Sequence, residues 1–393
     1  MQVTFIDTEE SWKQMLPLSY TRPVAKVRVG ILKVHEKWSK HLHINTTFFR
    51  SQDYLSTLFE GPKEKGLFIL GNVLPTSELA LLIQDLKEDE CLCFENQIIA
   101  GYFEPTEVIE AGHRKTITID TVEQVAHPWD IFRLNGEEIK NDFELITKNR
   151  SSQSINDPHT NTYGDQIFLE EGAVVKSAIL NAENGPIYIG RDTEIQEGSL
   201  IRGPFALCAH SVVNMGSKIK GDTTVGPHSK VGGEVSNSVI FGYSNKGHEG
   251  FLGNSVIGEW CNLGADTNNS NLKNNYTNVK MWDFASGRFK DTGLQFCGLI
   301  MGDHSKCGIN TMFNTGTTVG VSANIFGDGF PRNIIPSFAW GGASGFTTYQ
   351  TKKAFETAEL VMKRRKKDLT EADKAMLSHI FEITAENRVW EKK

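Results

Sequence analysis

One histidine in this 393-residue sequence stands in a setting that favours proton transfer. His248 lies in a glycine-containing segment, residues 241–251, and is followed by Gly253, Asn262 and Asn271. An imidazole titrates near neutral pH, so it can accept a proton from a nucleophile such as an amine. The spacing favours His248 as a general base over a plain surface histidine. Asn262 and Asn271 have an alternative interpretation as corner residues, because asparagine tolerates left-handed backbone.

A second group of polar residues belongs to the N-terminal part of the chain. Gly71 and Asn72 follow residues 67–70, an apolar run typical of a buried strand. Sites in α/β domains gather at the carboxyl ends of strands. Asn72 is a weaker ligand for Mg²⁺ than an aspartate would be, because magnesium prefers carboxylate oxygen. Arg22 and Arg28 can clamp a nucleotide triphosphate through forked hydrogen bonds, with ion pairs inside the fold as the alternative.

The elements that must position His248 follow from a repeat of six residues. Branched aliphatic side chains recur at every sixth position: Ile189, Ile195, Ile201, Leu207, Val213, Ile219, Val225 and Val231. Small residues, mostly Ser and Thr, stand two positions before them. A shorter run follows at Met301, Cys307, Phe313, Val319 and Ile325. A period of six fits neither an α-helix nor a half-buried strand and predicts a hexapeptide-repeat β-helix, with three hexads in each triangular coil.

The remaining patterns divide the chain into four parts. Strands that alternate with helices over residues 1–150 predict an α/β domain. Residues 151–166 are polar and are interpreted as a linker. The β-helix then covers residues 167–345, interrupted between Val231 and Ile257, and helices occupy residues 346–393. A basic run at residues 363–367 is either a solvated helix end or a dock for a nucleotide phosphate.

Composition narrows the classes of partner. The net charge of −7 and a sequence pI of about 5.9 do not favour nucleic acid or an anionic membrane surface as a partner. No apolar run has the length of a transmembrane helix, and residues 1–10 lack the features of a signal peptide. Six cysteines without paired C-x-x-C spacing indicate reduced thiols. We therefore expect a cytoplasmic protein that binds neither nucleic acid nor a membrane.

The motif around His248 resembles the acetyltransferase half of the bifunctional enzymes that make UDP-N-acetylglucosamine. These enzymes join an α/β uridylyltransferase to a left-handed parallel β-helix that acetylates glucosamine-1-phosphate, which is the fold class expected here. The resemblance implies that Asn262, Asn271 and Phe251 contact the sugar phosphate or the acetyl group, with Phe251 at a position where the family has tyrosine. It also implies that Gly264 and Ala265 bind acetyl-CoA, and that the protein is a homotrimer with acetyl-CoA held between neighbouring prisms.

The N-terminal part is similar to a divergent branch of sugar nucleotidyltransferases. Residues 16–18 (Leu-Pro-Leu) and 21–23 (Thr-Arg-Pro) resemble the segment after the family's phosphate loop, although the glycine-rich loop itself is missing. The resemblance implies that UTP or another nucleoside triphosphate binds near Arg22, Arg28 and Gly71. It places the two positions that hold Mg²⁺ in the family at Asn72 and Asn141, both amides in this chain.

Three functions remain open from the sequence. The first is a bifunctional enzyme that transfers both an acetyl group and a nucleotidyl group to an amino-sugar 1-phosphate. The second keeps the acetyltransferase and treats the N-terminal domain as a non-catalytic binder. The third is a trimeric β-helix scaffold with no chemistry. Release of CoA thiol and release of pyrophosphate distinguish the three.

Overall fold

The computed structural model describes residues 1–392 and divides the chain into two compact units. The N-terminal unit contains Met1–Val27 and Leu32–His127. The second unit contains Arg28–Ile31 and the chain from Pro128 onward. This division differs from the boundary expected at residue 150, because the helix that begins at Pro128 packs with the second unit.

The N-terminal unit is a six-stranded mixed sheet in the order β2-β1-β3-β5-β4-β6. Its strands are β1 (Gln2–Ile6), β2 (Thr46–Arg50), β3 (Gly66–Leu70), β4 (Glu90–Phe94), β5 (Gln97–Phe103) and β6 (Lys115–Ile119). Its helices are α1 (Glu9–Gln14), α2 (Val34–Leu42) and α3 (Ser77–Gln84), with short 3₁₀ turns at Leu18–Tyr20, Val24–Lys26 and Asp53–Leu55. The central strands β1 and β3 run parallel, so their carboxyl ends meet at one edge.

Local signals in the sequence explain several of these elements. Thr76 caps α3 by accepting a hydrogen bond from the Leu79 N–H, as its position before an apolar helical pattern predicts. Strands β4 and β5 form an antiparallel hairpin, which turns at the two residues between them. Buried apolar side chains at Val3, Phe5 and Ile69 form the core of this sheet.

The second unit is a parallel β-helix with three faces, as the hexad pattern predicts, and the expected fold class is confirmed. Face A contains Ile167–Leu169, Ile187–Ile189, Phe205–Leu207, Thr223–Val225, Leu299–Met301, Thr317–Val319 and Ile334–Ile335. Face B contains Val174–Val175, Glu194–Ile195, Val212–Val213, Lys230–Val231, Asn245–Lys246, Asn262–Leu263, Lys306–Cys307, Asn324–Ile325 and Ala339–Gly342, with Gly345–Thr348 paired antiparallel to the last. Face C contains Asn161–Tyr163, Ile179–Asn181, Leu200–Arg202, Lys218–Ile219, Asn268–Asn269 and Met312–Phe313. Two long strands, Glu234–Ile240 and Phe251–Ile257, contribute to both face C and face A.

Each face has an inward-facing column of side chains, one per coil, which we call its ladder. The eight aliphatic residues of the main hexad run all lie in these ladders, and their side chains are at most 2% exposed. Small hydroxyl residues lie at the corners. For example, Ser211 donates to the carbonyl of Gly226 in the next coil, which ties adjacent coils together. The hexad pattern therefore specifies both the apolar core and the polar corners.

The segment interpreted as an interruption is a run of shorter coils. The step along the face A ladder is 18 residues from Leu207 to Val225, but 15 from Val225 to Ile240 and 17 from there to Ile257. The first shortened coil is three residues shorter than a regular coil, and the second is one residue shorter. The six-residue repeat in the sequence is therefore interrupted, although the coils continue to stack. A larger insertion follows Ile257 and carries the antiparallel hairpin Lys280–Asp283 and Arg288–Asp291.

Three helices complete the second unit. Helix α4 (Pro128–Thr147) lies against the β-helix. The buried side chain of Asn135 joins them, accepting from the Gly30 N–H (2.7 Å) and donating to the carbonyl of Asp222 (2.8 Å). After the β-helix come α5 (Thr351–Lys363) and α6 (Glu371–Ile383), with short 3₁₀ turns at Ala385–Asn387 and Val389–Glu391. They confirm the C-terminal helices, and Lys393 lies outside the described residues.

All six cysteines are buried free thiols. None of the helices in residues 1–392 combines the length and the apolar character that crossing a bilayer requires. The segment expected as a linker contains the first strand of face C, Asn161–Tyr163, which pairs with Ile179–Asn181.

Candidate functional site

A cavity of about 750 Å³ opens beside face B of the β-helix. Four residues that the sequence singled out line it: His248, Asn262, Gly264 and Ala265. Gly264 permits a close approach of two coils, because a Cβ at this position would lie 2.4 Å from the backbone of Gly308. The shortened coils therefore bring the candidate base and the candidate cofactor residues to one surface.

Backbone groups at this cavity suit the recognition of a polar ligand. The N–H of Ala265 has no hydrogen-bond acceptor within residues 1–392, and its carbonyl accepts from Asn310 over 2.8 Å. An N–H that is free at a rigid corner can donate to a ligand carbonyl or to a developing oxyanion. The backbone of Asn262 is held by the carbonyl of Ser305, while its side chain is exposed.

Cationic side chains form a second part of the cavity wall. They are Lys230, Lys306, Arg364 and Arg365. Lys306 donates to the carbonyl of His304 over 2.8 Å, and burial lowers the pKa of its ammonium group. Arg364 and Arg365 belong to the basic run after α5, and guanidinium groups suit the binding of phosphate. Two residues of that run therefore line the cavity.

A column of stacked rings runs along one corner of the β-helix and reaches the cavity. Its centroid separations are 4.7 Å for His210–His228, 4.8 Å for His228–Tyr243, 4.1 Å for Tyr243–Trp260 and 6.3 Å for Trp260–His304. All five residues have φ near +60°, a conformation that costs energy for a residue with a Cβ. Ring stacking offsets part of that cost and gives the cavity a rigid aromatic edge at Tyr243 and Trp260.

Phe251 and Asn271 meet at a different point, beside Gly253. A Cβ at Gly253 would lie 2.5 Å from the Phe251 ring and 2.7 Å from the Asn271 amide nitrogen. Asn271 donates to the side-chain oxygen of Asn254 over 2.8 Å. Within the described chain these two residues are not part of the lining of the His248 cavity. The sequence-predicted acetyl-transfer residues therefore fall into two groups in the single chain.

The N-terminal unit has its own cavity, of about 760 Å³, at the carboxyl ends of β1 and β3. Ile6, Leu70 and Asn72 line it. The Asn72 side chain is only 4% exposed, and its Oδ1 has no hydrogen-bond partner within residues 1–392. Gly71 is required by close packing, because a Cβ there would lie 2.8 Å from the carboxylate of Asp7.

Asp7 is a functional candidate that the sequence analysis missed. It directly follows β1 and accepts hydrogen bonds from the Val24 N–H (3.0 Å) and the Ser51 hydroxyl (2.6 Å). Burial raises the pKa of its carboxyl group to about 7, although both hydrogen bonds act in the opposite direction. Its position at the end of a central parallel strand was the available signal.

The other predicted nucleotide-site residues lie in different units. Arg22 is buried in the N-terminal unit, where it contacts the Thr21 hydroxyl. Arg28 belongs to the second unit and donates to the carbonyl of Ile31 and to the Cys208 thiol. Asn141 lies on α4 of the second unit and donates to Glu138 over 2.8 Å. Arg28 thus links residues 28–31 to the β-helix, while Asn141 bonds within its own helix.

The residues present do not form a resident magnesium site within either unit. Asn72 supplies one neutral amide in the N-terminal unit, and the amide nitrogen of Asn141 is already engaged with Glu138. Among residues 1–392, no three His, Cys, Asp or Glu side chains are grouped so that they could hold a metal ion. We therefore derive no catalytic step through a protein-bound metal.

Comparison with known proteins supports the resemblance drawn from the motifs. Residues 3–151 match the family model described as sugar nucleotidyl transferase. A bifunctional sugar-1-phosphate nucleotidylyltransferase/acetyltransferase from Sulfurisphaera tokodaii is 32% identical over 144 residues, which cover 36% of this chain and 35% of that protein. The bifunctional protein GlmU of Methanocaldococcus jannaschii is 37% identical over 87 residues, or 22% of this chain and 21% of that protein.

The comparisons also found a third relative and two solved structures. The bifunctional protein GlmU of Methanococcus maripaludis is 27% identical over 205 residues, or 51% of this chain and 42% of that protein. The polySia specific acetyltransferase NeuO is 15% identical with a TM-score of 0.28, covering 50% of this chain and 85% of that one. The Arabidopsis UDP-N-acetylglucosamine acyltransferase is 13% identical with a TM-score of 0.25, covering 60% and 98%. The chain spans about a third of the length of the first relative, 35%, so whole-protein activity is a matter of proposal.

Proposed function

We propose that the second unit transfers an acetyl group from acetyl-CoA to the amine of an amino-sugar 1-phosphate such as glucosamine-1-phosphate. The observation that carries this proposal is the shared cavity of His248, Asn262, Gly264 and Ala265. The histidine can accept a proton from an amine nucleophile, and the free N–H at the corner can donate to a thioester carbonyl. The cationic side chains can bind the phosphate groups of CoA.

In the proposed reaction, the amine nitrogen attacks the thioester carbonyl carbon and the carbon–sulfur bond breaks. His248 accepts the proton that the amine loses and returns it to the departing CoA thiolate. The Ala265 N–H donates to the carbonyl oxygen of the thioester, where negative charge develops. Lys230, Lys306, Arg364 and Arg365 are available for the phosphate groups of CoA. Phe251 and Asn271 are assigned to the sugar acceptor.

We propose that the N-terminal unit transfers a nucleotidyl group, uridylyl first among the candidates, from a nucleoside triphosphate to the sugar 1-phosphate with release of pyrophosphate. The match of residues 3–151 and the cavity at the ends of β1 and β3 support this assignment. Arg22, Gly71 and Asn72 remain the candidate nucleotide residues. Because the chain's residues do not form a resident magnesium site, the Mg²⁺ is proposed to arrive with the triphosphate.

We also propose a homotrimer assembled through the β-helix. Ile179 and Leu200 are neighbours in register on the outer side of face C and are 37% and 47% exposed. Apolar side chains next to each other on a sheet surface favour contact with a second copy.

Paired assays on the full-length protein test the two activities. CoA thiol released from acetyl-CoA with glucosamine-1-phosphate reports on the second unit, and pyrophosphate released from UTP with N-acetylglucosamine-1-phosphate and Mg²⁺ reports on the N-terminal unit. We expect both. If only CoA is released, the N-terminal unit is a non-catalytic binder. If neither product is released, the protein is a scaffold without chemistry.

A further inference from the structure

Two ladder positions in the core of the β-helix carry polar side chains. Lys246 is the face B partner of Val231, and Asn269 is the face C partner of Phe313. Their side chains are 2% and 3% exposed. A buried cation or amide costs stability unless it is hydrogen-bonded, so both residues need a reason to replace an aliphatic side chain.

Lys246 points its ammonium group at the backbone around the candidate base. Its Nζ donates to the carbonyl of His248 and, over 3.1 Å, to the carbonyl of Glu249. Burial lowers the pKa of this ammonium group to about 8, with partial compensation from Glu249 and Asp266. The buried cation lowers the stability of the β-helix, and in this position it binds two adjacent carbonyl groups.

Asn269 holds the other end of the same segment. Its Oδ1 accepts from the Gly253 N–H over 2.9 Å, and its Nδ2 donates to the Gly253 carbonyl over 3.0 Å. The amide also lies 3.3 Å from the hydroxyl of Ser255. Gly253 is the point where the side chains of Phe251 and Asn271 meet.

The hydrogen bonds to the carbonyl groups of residues 247–250 show which of these groups depends on Lys246. Backbone N–H groups donate to the carbonyls of Glu249 and Gly250, and the Asn214 amide donates to that of Gly247 over 2.6 Å. Within residues 1–392, the carbonyl of His248 accepts from Lys246 alone. Lys246 thus fixes the carbonyl of His248, while other residues hold the carbonyls on either side of it.

Backbone position matters because the ring of His248 has no other restraint in the described chain. The side chain is exposed, and no other residue of this chain hydrogen-bonds to its imidazole. A base that is misplaced by about 1 Å can lose on the order of 100-fold in rate. The geometry of the ring therefore depends on the geometry of the segment that carries it.

We propose that Lys246 and Asn269 are positioning residues that act from inside the prism on residues 248–253, so that His248 and the Phe251 side chain face the substrates in fixed places. This inference rests on the proposed acetyl transfer. Neither residue touches substrate in this arrangement, and each acts through the backbone to which it is bonded.

The test uses apolar replacements of similar length, Lys246→Met and Asn269→Leu, in the full chain. Both put an aliphatic side chain on an aliphatic ladder but leave backbone groups of residues 248–253 without that hydrogen-bond partner, so we expect a folded protein with a modestly lower melting temperature. CoA release should fall at least tenfold in kcat, with KM for acetyl-CoA changed less than twofold. Hydrogen exchange of the amides in residues 247–253 should become at least ten times faster. Ile201→Met, a ladder substitution far from these carbonyls, is the matched control and should change none of these quantities.

The exchange measurement keeps this inference separate from the proposed function. If the wild-type protein releases no CoA, the proposed function fails, while faster exchange in residues 247–253 still supports positioning. If wild type is active and both variants keep wild-type kcat and exchange, the positioning role is overturned. A variant that loses its fold would show that its residue serves the fold alone, which also overturns the role for that residue.

Discussion

At the residue scale, the cavity beside face B separates His248 from the other histidines of the chain. His210, His228 and His304 take part in the stacked column, where ring faces contact neighbouring rings. His35 lies in the core of the N-terminal unit against Phe5, and burial lowers its pKa to about 4. His248 instead presents an exposed ring to the cavity. Its surroundings are those expected of a group that exchanges protons with a ligand.

Replacing His248 with alanine should abolish most of the acetyl transfer and leave acetyl-CoA binding nearly intact. The proposed cofactor contacts come from Ala265 and the cationic wall, while the imidazole only moves a proton. Loss of a general base typically costs about 10²–10⁴ in rate. The measurement is CoA release at saturating acetyl-CoA, together with acetyl-CoA affinity by calorimetry.

His248→Asn is the shape-matched control and should be about as inactive, because an amide cannot accept the proton. Raising the pH should partly restore the rate of both variants, because the substrate amine then loses its proton without a base from the protein. A variant that keeps more than about a tenth of the wild-type rate would leave less than roughly 1.4 kcal/mol of the barrier to this residue, and another base would have to be sought.

Asp7 should make the N-terminal unit less stable as the pH rises. The folded-state pKa of about 7 lies above the ordinary value of 3.8, so the folded state binds more protons between these values. Its stabilising contribution is full below about pH 4 and is lost as the pH rises through 7. The free energy of unfolding in urea should therefore drop between pH 5 and pH 8 by an amount on the order of 1–3 kcal/mol.

Asp7→Asn should remove most of that pH dependence, because the amide stays neutral. The unfolding of this unit can be followed by pulse hydrogen exchange of the peptide that contains β1. Asp53→Asn, which changes an exposed carboxylate of the same unit, should leave the wild-type dependence unchanged. Equal pH dependence in wild type and Asp7→Asn would show that the carboxyl group of Asp7 titrates in its ordinary range.

At the scale of the elements, the three ladders carry the stability of the β-helix. Ile201→Asp or Val213→Asp would place an unpaired carboxylate inside a narrow prism, at a cost of several kcal/mol. We expect a large drop in melting temperature for either variant. Arg202→Gln, at the outward-facing neighbour of Ile201, should be nearly neutral. Equally mild melting curves for the two classes would contradict the assignment of inward and outward positions.

The shortened coils form the candidate site on an otherwise regular β-helix. They place Lys246 at a ladder position in phase with Val231, although the six-residue count from Val231 does not reach it. They also set Gly232 against the Gly247 carbonyl, where a Cβ would lie only 2.5 Å away. The chain therefore departs from its own repeat at the place where it presents His248.

At the scale of the whole molecule, light scattering on the full-length protein should give about three times the chain mass of 43.8 kDa. Leu200→Glu should shift the mass towards that of a single chain, because a carboxylate would replace an apolar contact on the outer side of face C. Leu81→Glu, at a leucine of the N-terminal unit that is 61% exposed, is the control. A wild-type protein that runs as a single chain at assay concentration would contradict the trimer.

The sequence by itself determined the β-helix, because a hexad needs an inward aliphatic residue at a regular spacing and tolerates few others. It also determined β3 and the C-terminal helices, whose apolar patterns are local. The spacing after His248 selected Asn262, and the family resemblance of the same motif selected Gly264 and Ala265; all four residues share one cavity. In each case the information lies within a few residues or repeats at a fixed interval.

Only the tertiary structure decided the rest, because it depends on groups that are distant in sequence. Helix α4 joins the second unit through Asn135, Gly30 and Asp222, which no local pattern connects. The cationic wall combines Lys230 and Lys306 with arginines that follow α5. The roles of Lys246 and Asn269 became visible once coil length was known, because a change of one to three residues per coil determines which side chain faces the core. Ser244, two positions before Lys246, was the one local sign of that inward position.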